Sequence, residues 1–314
     1  MLLLLALAGA AAEPPLPYRV HPWPGGGTWE SPLFSVTVGP PAASKPSFVW
    51  YTAVANRQPI LPGNNRPSTS RDKDTSWTSF DMSAKTLVTV TLKNRTGSLA
   101  TVSVLPRGIA PQISADRHSV SLTIDRPRQL CLVVNGDMDT PLCIFADPPE
   151  VDPPTGPGPG LIYFGPGVHN ITGHAINVTA NTSVYLAGGA HVYGQVRASG
   201  VTWSSFWVGG APCDNVRVFG RGVLDGHNIP IDYRAHAMIE LPACSSIRVE
   251  GITTVDSPQY QLNNLNPGAN ISWSKAIAWY ALCHRMAAAH AGGAHAGGGG
   301  DGASCSWCWC CSRC

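Results

Sequence analysis

The chain has 314 residues, only 13% of them charged, and a formal net charge of +2. No basic stripe or acidic tail appears, which argues against nucleic acid or a charged membrane surface as partner. Glycine (33) and proline (28) are too frequent for a helical protein and suit many short strands joined by turns.

In chain order, residues 1–12 form an apolar run ending in small residues before Glu13-Pro14-Pro15, the pattern of a secretory signal without its usual basic start. No later stretch reaches the ~20 apolar residues that span a bilayer. A secreted, extracellular, monomeric protein is the expectation. Five Asn-x-Ser/Thr sequons, at Asn94, Asn170, Asn177, Asn181 and Asn270, agree with export and are candidate N-glycosylation sites.

Residues 13–32 read as a Pro/Gly-rich leader, followed by an N-terminal domain over 33–148. Its runs alternate with period two: Phe34–Val38, Ser47–Tyr51, Leu87–Leu92, Ala100–Val104, Val120–Ile124 and Leu130–Val134. Such runs, separated by turns, predict half-buried antiparallel strands in a β-sandwich. Cys131 and Cys143 flank the turn signal Asn135-Gly136-Asp137, so a disulfide across that hairpin is a candidate. Two buried thiols fit the same spacing, and sequence alone does not choose between them. Residues 149–160 follow as a stiff Pro/Gly linker.

Beyond the linker, residues 161–281 carry an internal repeat with copies starting at Thr182, Asp214, Ser245 and Ala269. Each has apolar residues at its third and fifth positions, which aligns Val184, Val216, Ile247 and Ile271. The first three copies add a glycine at the seventh: Gly188, Gly220 and Gly251. Alternation points one side chain inward and the next outward, and the glycine permits a sharp bend. Stacked, such copies share one core and form a parallel β-helix, whose repeated face is a track for an extended polymer.

Asn215-Val-Arg-Val-Phe-Gly-Arg-Gly-Val-Leu-Asp-Gly226 resembles the segment in which polygalacturonase-type hydrolases carry two glycines and then Ile/Leu-Asp-Gly. Glu250-Gly-Ile-Thr-Thr-Val-Asp-Ser-Pro-Gln-Tyr-Gln-Leu262 is similar to the family's next coil, with its Ser-Pro-aromatic-x-Leu turn. Leu161–His169 and Ser183–Val196 look closer to the dextranase and isopullulanase branch of these pectin lyase-like enzymes. That branch places a β-sandwich before a right-handed parallel β-helix. The resemblance therefore implies an all-β fold of those two parts, with the β-helix truncated here, and a glycoside hydrolase acting on a polysaccharide by inversion without a cofactor. Inversion needs two carboxyl groups roughly 6.5–9.5 Å apart, one protonating the leaving oxygen and one activating water.

The family's acids lie in Asn/Thr-Asp and Asp-Asp segments, and its polygalacturonases add Gly-His-Gly and Arg-Ile-Lys. None of these occurs in this sequence. The copies stop at Ala281, about where the family begins its first catalytic segment. No catalytic residue is therefore assigned, and the chain is expected to be inactive. Asp225, Asp232, Glu240, Glu250 and Asp256 are acids of the repeat region besides Asp214, which opens the second copy, with Asp225 and Asp256 expected to cap turns. Trp203, Trp207, Tyr233 and Tyr260 offer faces for sugar rings, though such residues more often pack in a core. The tail, 282–314, is a Gly/Ala/His run followed by Cys305, Cys308, Cys310, Cys311 and Cys314. Its spacing resembles a metal site, but the abrupt change of composition favours mis-translated sequence, and no metal is assigned. The alternative reading of the chain is a secreted, non-catalytic glycan-binding or adhesin β-helix.

Overall fold

The computed structural model describes residues 16–25, 30–52, 75–93, 97–200, 213–229, 237–242, 244–257, 260–263 and 269–277. The leader 1–12, Asn94, Asp232, Trp203, Trp207, Tyr233 and the tail 282–314 lie outside them. Every regular element among the described residues is a strand, and no helix is long and apolar enough to cross a membrane.

The N-terminal part holds β1 (Tyr18–Val20), β2 (Phe34–Val38), β3 (Lys45–Ser47), β4 (Trp50–Thr52), β5 (Thr75–Met82) and β6 (Thr86–Leu92). It continues with β7 (Val102–Leu105), β8 (Gln112–Ile113), β9 (Ser119–Ile124), β10 (Arg128–Val134) and β11 (Leu142–Asp147). One sheet runs β3-β2-β6-β9-β8; the other runs β1-β5-β11-β10-β7, with β4 also on β5. Phe34, Val36, Val88, Val90, Val120 and Leu122 face Phe80, Leu132, Leu142 and Ile144 across a shared apolar core. This is the expected β-sandwich.

Three details differ from the sequence reading. The leader is not separate, because β1 pairs antiparallel with β5. The run 47–51 is broken, with β3 ending at Ser47 and β4 starting at Trp50 in the other sheet. β5 and β11, which pair in parallel rather than antiparallel, fall outside the alternating runs. Both are buried on two faces: Phe80, Leu142 and Ile144 enter the sandwich core, while Trp77, Cys143 and Phe145 enter a second cluster outside it. A strand buried on both faces loses the polar half of the period-two signal.

The C-terminal part comprises β12 (Leu161–Phe164), β13 (Gly167–Val178), β14 (Ser183–Leu186), β15 (Ala190–Ala198), β16 (Cys213–Asp214), β17 (Arg217–Gly220) and β18 (Val223–Asp225). Then come β19 (Ala237–Glu240), β20 (Cys244–Ser245), β21 (Arg248–Glu250), β22 (Thr253–Val255), β23 (Tyr260–Asn263), β24 (Asn270–Ser272) and β25 (Lys275–Ile277). All of its named pairings are parallel. One sheet stacks β12-β14-β17-β21-β24. A second is built around β15, whose first half pairs with β18 and whose second half pairs with β19, the two halves meeting at Gly194. Successive coils share a core of Val184, Val192, Val196, Val218, Leu224, Ile239 and Val249. The chain is an all-β protein with a sandwich followed by a parallel β-helix.

The repeat copies are successive coils, but their register moves by two residues at the first and fourth. Val184 stands beside Val218, Val249 and Ile271, not beside Val216 and Ile247. An even shift leaves every side chain on its proper face. Val216 and Ile247 are buried too, one step earlier, which is why alternation alone did not separate the two alignments. Gly220 consequently lies beside Leu186. The Leu186 carbonyl accepts the N–H groups of Arg221 and Gly222, both at 2.9 Å, and any Cβ on Gly220 would overlap it. Before each of three strands the chain turns through a left-handed residue, Asn181, Asn215 and Ser246, and Asn215 Nδ2 donates to Asn181 Oδ1 at 3.0 Å.

The disulfide expectation needs correction. Cys131 and Cys143 are direct cross-strand partners, as the hairpin reading requires, but both are thiols packed with Trp77 and Phe145. The bridge is Cys213–Cys244, register partners on neighbouring coils with Cα atoms 4.4 Å apart. Two cysteines stacked at one coil position are held at bonding distance by the parallel ladder itself.

Candidate functional site

The second sheet of the β-helix presents two outward faces, one on each side of Gly194. On the first, His191, Val223, Val255 and Ile277 point outward while Val192 and Leu224 point into the core. This face lies beneath the sandwich. Val223, Val255 and Ile277 join Trp50, Trp77, Cys131, Val133, Cys143 and Phe145 in one apolar cluster. Trp50 stacks on Trp77 at 5.0 Å and meets the His191 ring edge-on at 5.2 Å.

The carboxylates along this face are structural. Asp225, 2% exposed, accepts from His191 Nε2 at 2.7 Å through Oδ2 and from the His227 backbone N–H at 2.7 Å through Oδ1. It caps its own turn, as the Leu-Asp-Gly reading expects. Asp256 adopts φ 50° at the end of β22, and its Oδ2 lies 3.0 Å from His227 Nδ1. The His227 side chain is 44% exposed, while that of Asp256 is 8% exposed. Among the described residues of this face, Asp225 and Asp256 are both buried, so neither offers an open carboxylate.

On the second face Ile176, Val196 and Ile239 point inward, so their neighbours in register, Asn177, Arg197 and Glu240, point outward on three successive coils. The backbone register continues to Asn263 on a fourth. Asn177 is exposed and Arg197 half-buried, whereas Glu240 is 1% exposed and places Oε2 3.6 Å from Arg197 Nε. Glu240 thus forms a largely buried ion pair with Arg197, too long for a hydrogen bond, while Asn177 is the exposed member of the three. Neighbouring strands lie about 4.8 Å apart, so three coils span roughly 10 Å, about the length of two sugar residues. No run of the sequence marks this row, because its members are 20, 43 and 23 residues apart; only the coil register collects them.

Glu250 pairs with Arg217 Nη2 at 3.2 Å on the first sheet. There Tyr163, Tyr185 and Phe219 stack in register, with the Arg217 guanidinium 3.6 Å from the Phe219 ring centroid. Tyr185 and Phe219 are buried, and the Tyr185 hydroxyl donates to Glu150 of the linker, so this aromatic ladder is packing and not an open sugar platform. Four sequons are exposed: Asn170 and Asn177 on β13, Asn181 in the left-handed turn and Asn270 on β24.

No family model and no curated protein matches the sequence. Among solved structures, Dex49A from Penicillium minioluteum is similar, with a TM-score of 0.56 and 19% identity over 82% of this chain. The chain spans 60% of the length of that protein. At this identity the likeness is one of fold alone, an all-β architecture with a parallel β-helix.

Proposed function

We propose that this chain is the scaffold of a secreted, monomeric polysaccharide-degrading glycoside hydrolase of the polygalacturonase/dextranase type, and that a glycan chain lies across its coils over the Asn177–Arg197–Glu240 row. The observation that carries the reading is the division at Gly194: one outward face is covered by the sandwich, and the other bears a polar row in coil register. The sequence motifs around Gly220 and Ser257 and the Dex49A-like fold support the same reading.

Hydrolysis by this 314-residue chain is not expected. Its sequence has no Asp-Asp pair, and Asp225 is committed to its turn and to His191. Binding and turnover are therefore separable. Affinity electrophoresis in gels containing dextran, pullulan or polygalacturonate should retard the chain in at least one of them, with no release of reducing ends. Arg197→Gln should weaken that retardation about tenfold, the loss of one charge-assisted contact. Equal migration in all three gels would defeat the reading, and reducing-end release would overturn its inactive part.

A further inference from the structure

The repeat glycines and a set of buried charges have a use that the bend alone does not explain. Asp81 and Asp147 are register partners on the parallel pair β5–β11 and both face the β-helix. Two like charges directly opposite each other destabilise a sheet unless cations neutralise them. The sandwich sequence supplies neither cation. Arg221, from the corner after Gly220, donates Nε to Asp81 at 2.6 Å and Nη2 to the Pro148 carbonyl at 2.6 Å. Lys275, from β25, donates Nζ to Asp147 at 2.5 Å and to the Gly251 carbonyl at 2.5 Å. All four charged side chains are at most 4% exposed.

The glycines make the room. A Cβ on Gly251 would overlap the Arg221 guanidinium, and one on Gly188 would overlap the His21 ring. A Cβ on Gly189 would come within 2.6 Å of the Pro22 carbonyl oxygen. His21 and Pro22 follow β1, so the sandwich edge enters the same glycine-lined corner.

We propose that this glycine corner is a socket and the quartet Asp81–Arg221–Asp147–Lys275 a latch, which together fix the sandwich on the β-helix so that the two parts unfold as one unit, with no need of the linker. Neither part keeps its buried charges paired without the other. Removing one partner strands a charge in a dry interface, whereas removing both members of a pair does not.

The test compares Lys275→Met, Asp147→Asn and the double variant in the full chain by calorimetry. The wild type should show one transition. Each single variant should lower Tm by about 10 °C, and the double should recover most of that loss, to within about 3 °C of wild type. A double variant no more stable than the worse single, or two separate wild-type transitions, would overturn the latch. A second measurement does not depend on the variants folding. With a protease site placed at Thr155–Gly156 in the linker and cleaved, the two pieces should still co-elute on gel filtration; separation into two peaks would show that the linker holds them.

Discussion

The two halves of β15 are one strand with two uses. Before Gly194 its outward side chains, His191 and Tyr193, meet aromatic rings and a buried carboxylate beneath the sandwich. After Gly194, Arg197 stands in a polar row with Asn177 and Glu240. The inward side chains do not distinguish the halves, since Val192 and Val196 enter the same core. A coil's interior thus sets the fold, and its exterior residues decide which face takes a domain and which carries a polar row.

The corner between the two sheets offers the sharpest way to break this arrangement. Gly220 combines φ 122° with the close Leu186 carbonyl, so Gly220→Val adds both backbone strain and a clash. A loss of roughly 4 kcal/mol is expected, enough to remove the cooperative transition of a marginal protein. Gly156, with open space around its Cβ position, is the control, and Gly156→Val should be near neutral in urea melts.

The Cys213–Cys244 bridge is next in size. It closes a sequence separation of 31, for which the chain-entropy estimate is roughly 3–4 kcal/mol. Reduction, or Cys213→Ala with Cys244→Ala, should lower the urea midpoint accordingly. Cys131→Ala should instead act as a core truncation whose effect is the same with or without reductant. Equal sensitivity of the wild type and the Cys213/Cys244 double variant to reductant would contradict the pairing.

That bridge also shows where sequence reading reaches its limit. Cys213 and Cys244 stand one residue before the second and third copies, so the repeat spacing of 31 already aligned them. The hairpin signal around Asn135-Gly136 drew attention to Cys131 and Cys143, and it did place those two opposite each other. Alternating strands such as Phe34–Val38 were legible because one face is buried and the other only half-buried, and the repeat because its inward residues and its glycines recur. β5 and β11 were not, because burial on both faces erases the contrast. The latch and the polar row were hidden for another reason. Asp81 and Arg221 are 140 residues apart, and nothing local in either segment marks the partner.

The smallest expected effect tests the sandwich-covered face by pH. His21 is pushed down from 6.5 to about 3 by burial first, then by the cations Arg221, Lys275 and Arg19. Asp81, with Oδ1 3.8 Å from His21 Nε2, is raised from 3.8 to about 6 by burial, with Asp147 and Glu150 adding to the rise and Arg221 opposing it. A depressed histidine contributes stability above pH 6.5 that is lost as pH falls toward 3. A raised aspartate contributes stability below pH 3.8 that is lost as pH rises through 6. Between about pH 6 and pH 4 the two slopes oppose each other, so this pair should leave the wild-type midpoint nearly level there. His21→Phe removes one slope and keeps the other. Its urea midpoint should therefore gain on the wild type as pH falls, by on the order of 2 kcal/mol between pH 7 and pH 5. Parallel pH profiles for variant and wild type would mean that His21 is not held neutral in the seam, and the packing of the sandwich edge into the glycine corner would have to be looser than Gly188 and Gly189 imply.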